Sequence, residues 1–126
     1  MFHLTVRDHM MIAHSLPHPS FGPAQNLHGA TYVVELTLWR ETLSSESIVI
    51  DIGEAADVLN HALSDLNYRN LDEHSELVGT LTTTETVARL IAERVATSLT
   101  GRGLTKLDVT LREHPDAWAG YSKTFD

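Results

Sequence analysis

The chain has 126 residues, 42% of them hydrophobic and none of them cysteine. One packed domain spanning 1–126 fits that length, and disulfides, thiolate metal sites and a cysteine nucleophile are excluded. Seventeen acidic residues against nine basic ones give a formal charge of -8, which argues against a nucleic-acid partner, because such a binder presents a basic face.

The N-terminal Met1–Arg7 lacks the basic start and long apolar stretch of a signal peptide. No apolar run approaches the roughly 20 residues of a membrane span. The expectation is a cytoplasmic protein with no membrane partner. Leu4 to Ala13 is apolar enough for a strand. Leu16 to Pro23 carries three prolines and a glycine, which cannot continue a sheet ladder, so it is expected as a loop. Thr31 to Trp39 favours a second strand through its β-branched and aromatic residues. Ser47-Ile48-Val49-Ile50 reads as a short continuation after a turn at Ser44-Ser45. Ala55, Val58, Leu59, Ala62, Leu63 and Leu66 then recur at helical spacing and predict an amphipathic helix over 54–66.

A loop runs on through Gly79. Thr82 and Glu85 stand three apart, the spacing of a capping box. Val87, Leu90, Ile91, Val95 and Leu99 mark a second helix, ended by Gly101. Leu107, Val109 and Leu111 alternate with polar residues as a third strand. After the turn at His114-Pro115-Asp116, Trp118 to Phe125 returns as a fourth. The order ββααββ predicts an α+β fold: a four-stranded antiparallel sheet with both helices on one face. Such a sheet has two long edges, which invite pairing with other copies of the chain.

Eight histidines are many for this length and prompt a search for a metal site. His14 closes the apolar run Ile12-Ala13. His28 sits in Leu27-His28-Gly29-Ala30-Thr31-Tyr32. Val49-Ile50-Asp51 leads into the first helix, and Leu66-Asn67-Tyr68-Arg69-Asn70-Leu71-Asp72 follows it. Thr83-Thr84-Glu85 with Val87-Ala88 opens the second helix. Glu113 ends the third strand, and Tyr121 lies in the fourth. Taken in this order, these six segments resemble the motifs of the 6-pyruvoyl-tetrahydropterin synthase / 6-carboxy-tetrahydropterin synthase family, across nearly the whole chain.

The resemblance implies the T-fold, an oligomeric barrel shared by three subunits that can stack as a dimer of trimers, with sites between subunits. It also implies a zinc ion held by three histidines. Here His14 and His28 occupy two of those positions, but Ala30 occupies the third and has no lone pair to give. Two imidazoles alone hold zinc weakly. The sequence therefore predicts no resident zinc unless a ligand comes from elsewhere, with His9, His18 and His74 as candidates. The family's cysteine base falls within Ala24-Gln25-Asn26-Leu27, and its Asp-His couple reads Asn67-Tyr68. Asn67 cannot hold a charge, and a phenol titrates too high to be a base at neutral pH.

The substrate anchor is kept. Glu113 shares parity with Leu107, Val109 and Leu111 and is expected on the same, mostly apolar side. There its two oxygens match the two parallel N–H donors of a pterin's ring edge. Thr83 and Thr84 can add hydroxyl or backbone contacts. Gln25, Asn67, Tyr68 and Arg69 are candidates for a polar rim, whereas Trp39 and Trp118 read as packing or subunit-contact residues. The expectation is a synthase homologue that binds a pterin-like small molecule, lacks the usual zinc site and catalytic triad, and works as a homo-oligomer. The alternative is an active 6-carboxy-tetrahydropterin synthase-like zinc lyase with rebuilt ligands.

Overall fold

The computed structural model describes residues 1–126. Two long strands open it, β1 (Phe2–His14) and β2 (His28–Arg40), paired antiparallel from Phe2↔Arg40 to His14↔His28. Helix α1 (Ile52–Leu63), the short strand β3 (Arg69–Asn70) and helix α2 (Thr84–Ser98) follow. Strands β4 (Lys106–His114) and β5 (Ala117–Thr124) close the chain. The sheet order is β3-β1-β2-β4-β5, and β3 runs parallel to β1 through Ile12↔Arg69 and Ala13↔Asn70.

The α+β architecture agrees with the sequence, but the sheet is five-stranded and mixed rather than four-stranded and antiparallel. The extra strand is two polar residues long. It exists only because the chain leaving α1 runs back along β1, where Asn67 Oδ1 accepts the Met11 N–H and the Tyr68 N–H bonds to the Met11 carbonyl. No local pattern announces such a strand. Ser47 to Ile50 is not a strand. Ser47 adopts φ 65° in a turn closed by its N–H on the Ser44 carbonyl, and Val49 and Ile50 are buried by packing rather than by pairing. The proline-rich segment also departs from an irregular loop, because Pro19–Gln25 folds into short 3-10 turns.

Alternation places the core. Val6, Met10 and Ile12 of β1, Tyr32, Val34, Leu36 and Leu38 of β2, and Leu107, Val109 and Leu111 of β4 share one face. Helix α1 packs on β1, and α2 packs on β4 and β5, both on that face. Asp51 caps α1 by accepting the Glu54 N–H at 2.9 Å, so the helix begins earlier than its apolar spacing suggests. The cap of α2 is Thr83, whose side chain accepts the Thr86 N–H. The Thr82–Glu85 capping box does not form, because Thr82 is buried and its hydroxyl is committed elsewhere. Gly120 lets β5 lie close on β4: a Cβ there would stand 2.5 Å from the Val109 carbonyl oxygen.

The other sheet face has no layer over it. It carries Thr5 bonded to Thr37, Glu35 held between Arg7 and Arg112, and Trp39 donating to Asp108 at 2.6 Å. No helix is long and apolar enough to cross a membrane.

Candidate functional site

The end of the sheet where β1 stops and β2 begins collects the polar side chains of the core face. His14 and His28 are direct partners across the β1–β2 ladder, and their rings stand 4.6 Å apart, edge to face. Buried residues on β1 and β2 are even-numbered, so His14, His28 and Ala30 all belong to the core face. Ala30 is partly buried and packed against the core, and it offers no ligand atom.

His14 is 2% exposed. Its Nδ1 lies 2.8 Å from the Thr82 carbonyl oxygen and 3.2 Å from Thr82 Oγ1. Thr82 in turn donates its hydroxyl to Asp72 Oδ1 at 3.0 Å. Asp72 also accepts the Ser15 N–H at 2.8 Å and the Ser15 hydroxyl at 2.7 Å. Burial alone would raise the Asp72 carboxyl, but these hydrogen bonds outweigh it and hold the group below its ordinary value. With its hydrogen spent on Asp72, Thr82 offers His14 two acceptors and no donor. The proton of the neutral ring therefore sits on Nδ1, and the lone pair on Nε2. That Nε2 is buried and has no partner. His28 is arranged likewise, with Nδ1 2.8 Å from the Asn26 carbonyl.

Glu113 reaches the same place from β4. The β2–β4 ladder ends at Val33↔Arg112, and the β4–β5 register shifts between Arg112 and His114. Glu113 keeps the parity of Leu111 but lies beyond the last paired residue of the β2–β4 ladder, beside the first residue of α2. It is consequently exposed in the single chain, not buried as its parity suggested. Thr84, the first residue of α2, donates its hydroxyl to Glu113 Oε2 at 3.1 Å, and Tyr32 Oη makes a longer contact with the same hydroxyl at 3.4 Å. Burial raises the Tyr32 phenol despite the Thr84 contact, so it remains a hydrogen-bond donor. Ligand atoms of His14, His28 and Glu113 all lie within 4.8 Å of one another. Thr84, Glu85 and Glu113 also line a hollow with His114, Ala117 and Trp118.

The other sequence candidates lie elsewhere in the chain. Thr83 uses its hydroxyl for the helix cap and bonds Thr86 Oγ1. Asn67 spends its side-chain oxygen on the Met11 N–H, and Tyr68, at φ 60°, is 75% exposed on the β3 side of β1, with β1 and β2 between it and the Glu113 strand. Gln25 folds back on the Gly22 carbonyl. His9 is on the opposite sheet face, His18 bonds Ser20, and His74 bonds Asp65, so none of the three substitute ligands joins the cluster. Trp39 lies under Lys106 on the uncovered face, and Trp118 stacks with Arg112.

The sequence offers no signal that Glu113 stands among the metal-ligand candidates. Its place in the anchor motif implies a different role, and the ladder register that carries it to the histidines is not a local signal. Two imidazoles whose Nδ1 atoms face carbonyl oxygens, together with one carboxylate, are a donor set that a divalent transition-metal ion accepts. The buried, unpartnered Nε2 of His14 is the observation that favours such a fit.

A small α+β sheet with two helices on one face, and with paired histidines and a strand-terminal glutamate at its open end, is the architecture of a T-fold domain. The family model for 6-pyruvoyl tetrahydropterin synthase matches residues 3–124, and the chain belongs to that family. The structure of the Caenorhabditis elegans 6-pyruvoyl tetrahydropterin synthase matches with a TM-score of 0.84 at 25% identity, covering 98% of this chain and 96% of that one. The Plasmodium vivax and Plasmodium falciparum enzymes match with TM-scores of 0.80 and 0.75, each at 16% identity and each covering 98% of both chains. At that identity they speak for the fold alone. No curated protein matches the sequence.

Proposed function

We propose that this chain is a synthase homologue that binds a pterin-like small molecule and does not carry out the standard synthase reaction. The observation that supports it best is the pairing of Glu113 with Thr84 at the head of α2. It orients a carboxylate while leaving Oε1 and the hollow beside it open. A flat heterocycle with an amino group beside a ring N–H presents two donors to such a carboxylate. Thr84 adds its hydroxyl, and Thr83 contributes backbone rather than side-chain contact.

The case against standard chemistry is residue-level. A proton abstraction needs a base tuned near the working pH. Asn67 does not titrate in that range, and Tyr68 is a phenol on the surface of the single chain. An active lyase with rebuilt ligands gains support from one observation, the approach of Glu113 to the two histidines. His14, His28 and Glu113 would hold the ion, and a bound Zn²⁺ would polarise a substrate oxygen. That reading still lacks a base.

The proposed assembly is a trimer or a dimer of trimers, with the cleft between subunits. Support comes from the free edges of β1 and β5 and from exposed apolar side chains such as Phe2, Ile52 and Trp118.

Calorimetric titration of the oligomer with a panel of pterins and purines tests the proposal. At least one ligand is expected to bind, and Glu113→Ala is expected to weaken it about 10- to 100-fold, the worth of a hydrogen bond to a charged group. If no member of the panel binds, the proposal fails.

A further inference from the structure

We infer that His14, His28 and Glu113 form a two-histidine, one-carboxylate site for a divalent transition-metal ion, in which Glu113 takes the ligand place left vacant by Ala30. The inference concerns the same cleft but does not rest on heterocycle binding.

Three independent features converge on it. The first is the orphaned Nε2 of His14. A buried acceptor with no donor is destabilising, so the fold retains it at a loss unless something binds there. The second is the carbonyl oxygen behind each ring: Thr82 behind His14 and Asn26 behind His28, each 2.8 Å from Nδ1. A metal-binding imidazole ordinarily donates its other N–H to such a group, which fixes the tautomer and raises ligand basicity. Asp72 strengthens the first of these through the Thr82 hydroxyl. The third is proximity, with all three ligand atoms inside 4.8 Å. Bonds of about 2.0–2.2 Å to a tetrahedral ion bring ligands to roughly 3.5 Å from one another, so closure takes about 1 Å of side-chain movement. Glu113 is exposed and bonded only to a threonine hydroxyl, so it is free to make that movement.

The donor set also selects the ion. Imidazole nitrogens favour zinc, cobalt, iron or nickel over magnesium and calcium, which prefer all-oxygen shells. Two neutral rings and one carboxylate leave a dication with a net positive charge, and an anionic or lone-pair ligand would complete its shell. A metal-bound Glu113 keeps a second oxygen, so cation binding and acceptance of a ring N–H are compatible.

Cobalt(II) alone is the probe. The full chain, stripped with chelator, is titrated with Co²⁺ while the visible d–d absorption is followed, and bound cobalt is then displaced with Zn²⁺. One Co²⁺ per chain is expected, with the intense bands of a four- or five-coordinate ion. Glu113→Ala is expected to weaken binding at least tenfold. Because Glu113 is exposed, its removal leaves the core untouched. Ala30→His introduced into the Glu113→Ala chain is expected to restore cobalt binding by supplying the third imidazole. Cobalt binding of equal strength in the wild-type and Glu113→Ala chains, or none in the wild type, overturns the inference. A chain that takes cobalt but no pterin or purine sinks the functional proposal and leaves this one standing.

Discussion

Single side chains at this site are set by what stands behind them. His14 keeps its Nε2 lone pair unpartnered because Thr82 presents acceptors to its other nitrogen, and Thr82 does so because Asp72 has taken its hydrogen. The sequence exposes His14, His28 and Glu113 as chemistry-bearing residues. It does not expose Thr82 and Asp72 as their supports, since each could equally have capped a helix. A second carboxylate shows the same logic away from the cleft. The hydrogen bond from Arg94 holds Asp65 at about 2, with His74 adding to the effect, against an ordinary value of 3.8. The folded value lies below the unfolded one, so Asp65 stabilises the fold above pH 4, and that contribution is lost as pH falls from about 4 to 2. Urea midpoints measured across that window should fall in the wild type. Asp65→Asn should flatten this part of the curve while lowering stability at neutral pH.

Elements follow the sequence where periodicity and burial agree. Both helices and all four long strands are legible because each must bury one face, and burial writes its period into the residues. The boundary of α2 is less legible, since Thr82, Thr83 and Thr84 are identical as local signals. Packing assigns them three jobs: Thr82 supports His14, Thr83 caps the helix, and Thr84 orients Glu113. This division predicts that Thr83→Ala lowers stability by about 1 kcal/mol, the usual loss for an N-cap hydroxyl. Thermal melts would register the loss, whereas ligand affinity should stay within about twofold of wild type. A large loss of affinity without loss of stability would instead assign the Thr83 hydroxyl to the ligand.

At the scale of the molecule, the single chain is an unfinished object. The outer edge of β1 is unpaired from Phe2 to Met10, and the outer edge of β5 is unpaired throughout. An eight-residue edge strand carrying Tyr121 and Trp118 invites pairing with a copy of itself or of β1. The opposing cost is charge, since each added subunit brings a formal -8. Sedimentation equilibrium at about 0.15 M salt, where the Debye length is about 8 Å, should give the mass of a trimer or hexamer, loosening as salt is lowered. A monomer at every salt concentration would mean that the edges are blocked in another way. Tyr68, exposed on the β3 side, would then have no neighbouring subunit to meet.

The sequence by itself determined the α+β class, the family and the presence of Ala at position 30, because these rest on periodicity and on the identity of single residues. The identities of Asn67 and Tyr68 are fixed by the chain in the same way, since no packing can turn an amide into a carboxylate. Only the tertiary structure decided that β3 joins the sheet, that Glu113 is exposed rather than buried, and that it stands beside His14 and His28. Those outcomes depend on ladder register and on which groups remain unpaired after the chain has folded, and neither quantity has a local trace in the order of residues.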